Sequence, residues 1–190
     1  MDMTIPNEVA ADLAPRWNEP HRRHHSQRHL SEVLDSLQRL RDGGLEFAER
    51  PVVLAAWFHD AVYKPLSPDN EAASADLARR LLADDTDRDE VARLVELTQT
   101  HAAAGDDRNG IALSDADLAV LGSSPDRYDE YVADVREEYR AVPSEVFGPA
   151  RRALLAEFLT RDRLFQSPQG HELWEAAARD NVAREIAALG

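Results

Sequence analysis

Apolar residues return every three or four positions along almost the whole chain, and this period most narrowly limits how it can fold. Leu30, Val33, Leu34, Leu37 and Leu40 recur at helix spacing, and Gly43-Gly44 then stops the run. Residues 52–63 read as a short, mostly buried helix. Ser67-Pro68 has the form of an N-cap followed by proline at the first helical position, opening a helix to about Leu82. Thr86 with Asp89 three residues on resembles a capping box, with Val91, Leu94, Val95 and Thr98 on the inner face of its helix. Residues 105–110 form a polar loop, and a short helix over 111–121 ends at Gly122. Ser124-Pro125 starts the next helix, which runs to about Arg140. Pro143 and Gly148-Pro149 punctuate another that ends near Thr160; 167–170 is a turn, and a last helix runs to about Ala188. No window shows the two-residue alternation of a half-buried strand. There is no internal repeat and no linker long enough to split the chain, so residues 1–190 are expected to form a single all-α domain of about eight helices.

Charge and composition narrow the chemistry. Lys and Arg number 22 against 36 Asp and Glu, a net charge of −14, which repels a phosphate backbone and argues against binding a nucleic-acid polymer. A small phosphorylated substrate stays open if a metal or a few arginines reverse the local field. Cysteine is absent, which excludes disulfides, thiolate zinc sites, iron–sulfur centres and a cysteine nucleophile. The longest apolar run, 52–58, is far short of the roughly 20 residues a bilayer crossing needs, so no membrane partner is expected. Residues 1–15 carry no basic segment followed by an apolar stretch, so the expected location is cytoplasmic. Self-association as a homodimer stays open. The phosphate-loop, dinucleotide-fold, serine-hydrolase and HExxH patterns do not occur; His171-Glu172-Leu173-Trp174-Glu175 departs from the last at its final residue.

Histidine placement carries the most chemical information. Of seven histidines, His21, His24, His25 and His29 cluster in one segment. His25 and His29, four apart, share a face if the helix begins that early, and His29 directly precedes the apolar stripe. In Trp57-Phe58-His59-Asp60, an imidazole and a carboxylate end an almost wholly apolar helix. A buried Asp is costly unless it is paired or ligates a cation. His101 continues the inner face of Leu94 and Thr98. Asp115 and Asp117 stand at the start of another apolar helix, where Asp115 suits a cap and Asp117 lies deeper. Each feature alone also has a plainer reading: a solvated segment, a structural His–Asp hydrogen bond, a satisfied core histidine, a helix cap. Together they supply His29, His59, Asp60 and Asp117 from separate helices. Two imidazoles and two carboxylates suit an octahedral Mn, Fe, Co, Ni or Mg ion, and zinc is disfavoured.

The ordered set His29, His59-Asp60 and a distant Asp117 resembles the pattern H…HD…D of the HD-domain superfamily of metal-dependent phosphohydrolases. It is closer still to one bacterial branch of predicted phosphohydrolases. The resemblance extends to Glu19-Pro20-His21-Arg22, to 54–63, Asn70-Glu71, 114–118 and Arg136-Glu137-Glu138-Tyr139, and so covers roughly residues 17–185. His24 stands where the branch usually has Tyr, and Lys64 where an acidic or neutral residue is expected. Tyr63 takes the place of an acidic residue found in the better-studied HD nucleotidases.

The resemblance implies a helical bundle and hydrolysis of a small phosphorylated substrate, expected to be a nucleotide, by water activated on a divalent metal held by His29, His59, Asp60 and Asp117. Arg22, Arg23 and Lys64 are the nearest basic candidates for the phosphate, Arg22 being favoured because it sits between two motif histidines, and His25 is also expected at the substrate. General acid and base work falls to Glu71 or Asp69, with His101 orienting a water or holding a second metal. A module that binds metal and nucleotide without turnover would use the same ligand set.

Overall fold

In the computed structural model, which describes residues 5–190, the helical period becomes nine α-helices with no strand among the described residues. They are α1 (Asn7–Trp17), α2 (Gln27–Asp42), α3 (Glu49–Phe58), α4 (Asn70–Leu81), α5 (Arg88–Leu97), α6 (Arg108–Leu118), α7 (Pro125–Glu138), α8 (Ser144–Thr160) and α9 (Pro168–Ala188). A 3₁₀ turn, Ala119–Gly122, follows α6. Residues 1–4, part of the segment read for a leader, lie outside the described residues.

The most apolar helix is the central one. Pro51 to Ala56 and Phe58 are buried on every side of α3, so beyond its first turn the helix has no exposed residue. α2, α4, α5 and α6 surround it. Each of these outer helices supplies a one-sided stripe, such as Leu30, Val33, Leu37 and Leu40 of α2 or Val91, Leu94 and Val95 of α5. Leu13 and Trp17 bring α1 into the same connected core, and Trp174, Ala178 and Val182 bring in α9. Each fully buried leucine here contributes about 2 kcal/mol. No helix among the described residues is long and apolar enough to cross a membrane.

Several element ends differ from the sequence expectation, each for a local reason. α1 was not anticipated, although Val9, Leu13 and Trp17 keep the i, i+4 period. α3 stops at Phe58 and not at Tyr63. α4 opens at Asn70, because Asn70 and Lys64 clasp each other: the Lys64 N–H donates to Asn70 Oδ1 at 3.0 Å and Asn70 Nδ2 to the Lys64 carbonyl at 3.0 Å. Ser67 therefore sits in the clasped turn and is no helix cap. Asp87, not Thr86, takes the N-cap position of α5. α6 begins earlier than expected, at Arg108, where Asp107 caps it by accepting from the Gly110 N–H at 2.9 Å. Asp115 and Asp117 thus lie in its last turns, not its first. α8 continues through Gly148-Pro149. Ser124 and Ser167 cap α7 and α9, each followed by proline at the first position.

Candidate metal centre

The C-terminal end of α3 leaves carbonyls without helical partners, and residues from the start of the chain satisfy them. Trp17 Nε1 donates to the Trp57 carbonyl at 3.1 Å. Arg22 Nη1 donates to the Asp60 carbonyl at 2.8 Å and Nη2 to that of Ala61 at 3.4 Å. The Arg22 guanidinium is fully buried, paired with Glu19 at 3.0 Å and packed over the rings of Trp17 and Tyr63. A cation at a helix C-terminus also complements the dipole. The expected role of Arg22 as a phosphate grip is therefore corrected. Its donors are consumed by Glu19 and by backbone carbonyls beneath the site, where they fix the turn that presents His59 and Asp60.

Three helices meet at that turn. His29 comes from the first turn of α2, His59 caps α3, and Asp117 comes from the last turn of α6. Their donor atoms all lie within 4.8 Å of one another. His29 Nε2 is 2.9 Å from Asp117 Oδ1 and 3.2 Å from His59 Nε2. Asp60 stands beside this triad, its Oδ2 3.1 Å from His59 Nε2 and 3.8 Å from His29 Nε2. His101 follows α5 in the left-handed region at φ 52°, where its ring reaches Asp117 Oδ2 at 2.9 Å. His59 Nδ1 donates to the Ala56 carbonyl at 2.8 Å. That bond turns Nε2 toward the cluster, where loss of its proton would expose the lone pair of a ligating histidine. Two facing imidazole nitrogens with carboxylate oxygens around them need a proton or a cation between them. The donor set therefore fits a divalent ion.

The charges are strongly coupled. Burial alone would lower the His59 pKa, but Asp60 and Asp117 outweigh it and raise it well above the ordinary histidine value. Burial would raise Asp117, but His59, His101 and His29 hold it well below the usual carboxylate range. Asp60 is held low in the same way against burial, chiefly by His59. In metal-free protein His59 thus keeps a proton at neutral pH that an incoming ion must displace. Metal affinity should rise with pH toward the raised His59 value and fall as pH is lowered. Calorimetric titration with Mn at neutral pH, in two buffers of different ionisation enthalpy, should give heats that differ by the protons released. Identical heats would mean that the ion displaces no proton.

A cavity of about 310 Å³ opens over these groups. Glu71, at the start of α4, lines it, as do His24, His25 and His101. Lys64 is exposed and does not line it, so the second expected phosphate cation is also corrected. Asp69 is exposed and likewise lies off the cavity. His25 precedes α2 and so shares no helix face with His29, yet its ring comes within 6.3 Å of the His29 ring. It stacks on Tyr63 at 4.0 Å, and its Nδ1 is 2.6 Å from Glu138 Oε2. Its Nε2 has no hydrogen-bond partner among the described residues. Burial lowers the His25 pKa, but Asp60 and Glu138 outweigh it and the net shift is upward. His24 is buried against His29 and Tyr131 in tilted and edge-on ring contacts, a packing role that a tyrosine would also suit. Burial, then His29 and His25, hold it well below the histidine value, so it is neutral.

Sequence reasoning gave no role to Glu138 and did not single out Arg151 of α8. Glu138 is buried and accepts from the Arg23 and His25 N–H groups and from the Tyr63 hydroxyl. Its signal was a carboxylate following Val135 at helix spacing. Arg151 lines the cavity with Nε 2.9 Å from Glu185 and Nη2 donating to Tyr131 at 2.9 Å. Asp115 does not enter the site. It is buried and accepts from Gln166 N, Ser167 N and Ser167 Oγ.

No protein-family model, curated protein or solved structure matches the chain.

Proposed function

We propose that the protein is a divalent-metal-dependent phosphohydrolase acting on a small phosphorylated substrate. The observation that carries this reading is the His29–His59–Asp117 triad, drawn from three helices to the floor of a cavity, with His59 Nε2 turned toward the cluster. The ordered sequence pattern described above supports it independently. His29, His59 and Asp117 would hold the ion, with Asp60 beside them, and Mn, Fe, Co, Ni or Mg suits the mixed nitrogen and oxygen donors. Such an ion supplies Lewis acidity toward a phosphoryl oxygen and toward water.

The remaining steps fall to side chains. Water oxygen attacks phosphorus as the ester P–O bond breaks. The Glu71 carboxylate, free of other hydrogen bonds among the described residues, takes the proton that water gives up. His25, oriented through Nδ1 by Glu138, delivers a proton from Nε2 to the departing oxygen. His101 holds Asp117 from the side away from the triad. The cavity's arginine is already paired with Glu185, and Asp60, Asp117 and Glu71 add negative charge. Phosphate is therefore expected to bind only to the metal-loaded protein.

The test is a phosphate-release screen over phosphomonoesters and nucleotides with each divalent metal in turn, alongside elemental analysis of the purified protein. Absence of release with every metal, in protein that does bind metal, would leave a binding module and sink the reading. Within an active protein, His25→Gln should slow hydrolysis of alkyl esters about 100-fold. The loss should be much smaller for a p-nitrophenyl ester, whose leaving group needs no proton. Equal losses on both would remove His25 as the acid.

A further inference from the structure

A second cavity, of about 470 Å³, opens beside the first, between α7, α8 and the loop that follows α3. His24, His25, Tyr131, Arg151 and Leu154 line both. Leu154 is 48% exposed, so the two cavities reach solvent side by side. The rest of the second cavity is apolar: Val135, Val142, Val146, Phe147, Ala150 and Leu66 form its walls along with Tyr139. Four large apolar side chains are exposed among the described residues. Three of them, Leu66 at 61%, Val146 at 56% and Leu154, belong to this cavity.

Exposed leucine and valine around a concave apolar space mark a binding surface better than a packing accident. The identity of the occupant follows from what the walls lack. The cavity's polar side chains are His24, His25, Arg151 and the two tyrosines, of which His25 and Arg151 are already paired with Glu138 and Glu185; no Asn, Gln, Ser, Thr, Asp or Glu side chain lines it. A nucleobase or sugar placed there would give up water at its polar edge and gain few partners, at a cost. An alkyl or aryl group has no such edge. The cavity also meets the candidate metal centre across His25 and His24, whose rings lie 6.3 and 4.5 Å from that of His29. A phosphate attached to an occupant therefore falls over the triad.

We infer that this cavity holds the apolar alkyl or aryl group of the substrate, so that the protein prefers hydrophobic phosphomonoesters to nucleotides. The inference rests on the phosphohydrolase reading only for the placing of the phosphate. His25 then faces both the metal centre and the apolar pocket, which puts its Nε2 at the ester oxygen joining the two halves of the substrate.

The experiment titrates methyl-, butyl-, hexyl- and octylphosphonate into the Mn-loaded protein and follows phosphate release from the matching esters. Kd should fall about fourfold per buried methylene until the cavity is full. Val146→Asp, at an exposed position that lines only the apolar cavity, should flatten that gradient and leave methylphosphonate affinity unchanged. A flat gradient in the unmodified protein, or one that survives in Val146→Asp, overturns the inference. So does a Val146→Asp protein that changes from dimer to monomer while the unmodified protein shows no gradient, because the apolar face is then a subunit contact. The two readings fail separately. A phosphonate gradient without phosphate release keeps the pocket and removes the hydrolase, whereas release without a gradient does the reverse.

Discussion

Replacing Asp117 by Ala should cost the protein its metal and leave its fold standing. Oδ1 of Asp117 lies 2.9 Å from His29 and 3.5 Å from His59, and Oδ2 lies 2.9 Å from His101. It is the one carboxylate of the tight triad, so its removal takes away a ligand and a charge together. Loss of a supporting partner alone lowers metal affinity about 10–100-fold, and loss of a ligand should exceed that. The side chain faces the cavity, and His59 keeps Asp60 at 3.1 Å, so no buried charge is stranded. Elemental analysis after gel filtration should show metal in the unmodified protein and none in the variant, with phosphate release lost in parallel. The metal-free melting temperatures should stay close. Asp60→Ala should act in the same direction, through the second carboxylate beside His59. An Asp117→Ala protein with full metal content would refute the centre.

Asp115→Ala, two residues earlier on the same helix, should do the opposite. Asp115 is 1% exposed and joins the end of α6 to the start of α9. It accepts from Gln166 N and Ser167 N at 2.8 Å each and from Ser167 Oγ. Ser167 Oγ in turn accepts from the Gly170 N–H at 2.9 Å as the N-cap of α9. Packing is tight enough that a Cβ on Gly170 would come within 2.5 Å of Asp115 Oδ2. Alanine leaves the Ser167 donors buried and unpaired and loosens the cap. The cost should be about 3 kcal/mol, or about 8 °C in Tm for a chain of this size. Metal content should be unchanged in protein that is folded. A variant as stable as the unmodified protein would show that water replaces the carboxylate. The pair of variants separates two aspartates that the sequence presents as near neighbours.

The helical class was legible because a 3.6-residue apolar period leaves a chain one way to bury its stripes. The same period located the inward residues. His29 precedes the α2 stripe, His59 and Asp60 end the apolar α3, and Asp117 sits among Ala116 and Leu118, so each stood out as a polar group at the edge of a buried face. Element ends were less legible, because they depend on single bonds between distant positions in the chain, such as the clasp between Lys64 and Asn70. Closeness in sequence to the motif histidines gave Arg22 and Lys64 their expected phosphate roles, but closeness could not say which way an arginine turns. Arg22 turned inward because the end of α3 needs donors, and Trp17 and Tyr63 give its guanidinium a place to lie.

The sequence by itself determined the all-α class, the absence of thiol chemistry, and that His29, His59 and Asp117 stand at the edge of buried faces. The tertiary structure alone decided which of them meet. His25 finds its carboxylate 113 residues away on α7. Arg151 arrives from α8 already neutralised by α9, and Asp115 is claimed by α9 while Asp117 turns to His29 and His59. Periodicity fixes the face a side chain occupies, because that depends on residues three and four positions away. The partner on that face comes from another helix, and only the packing of the helices supplies it.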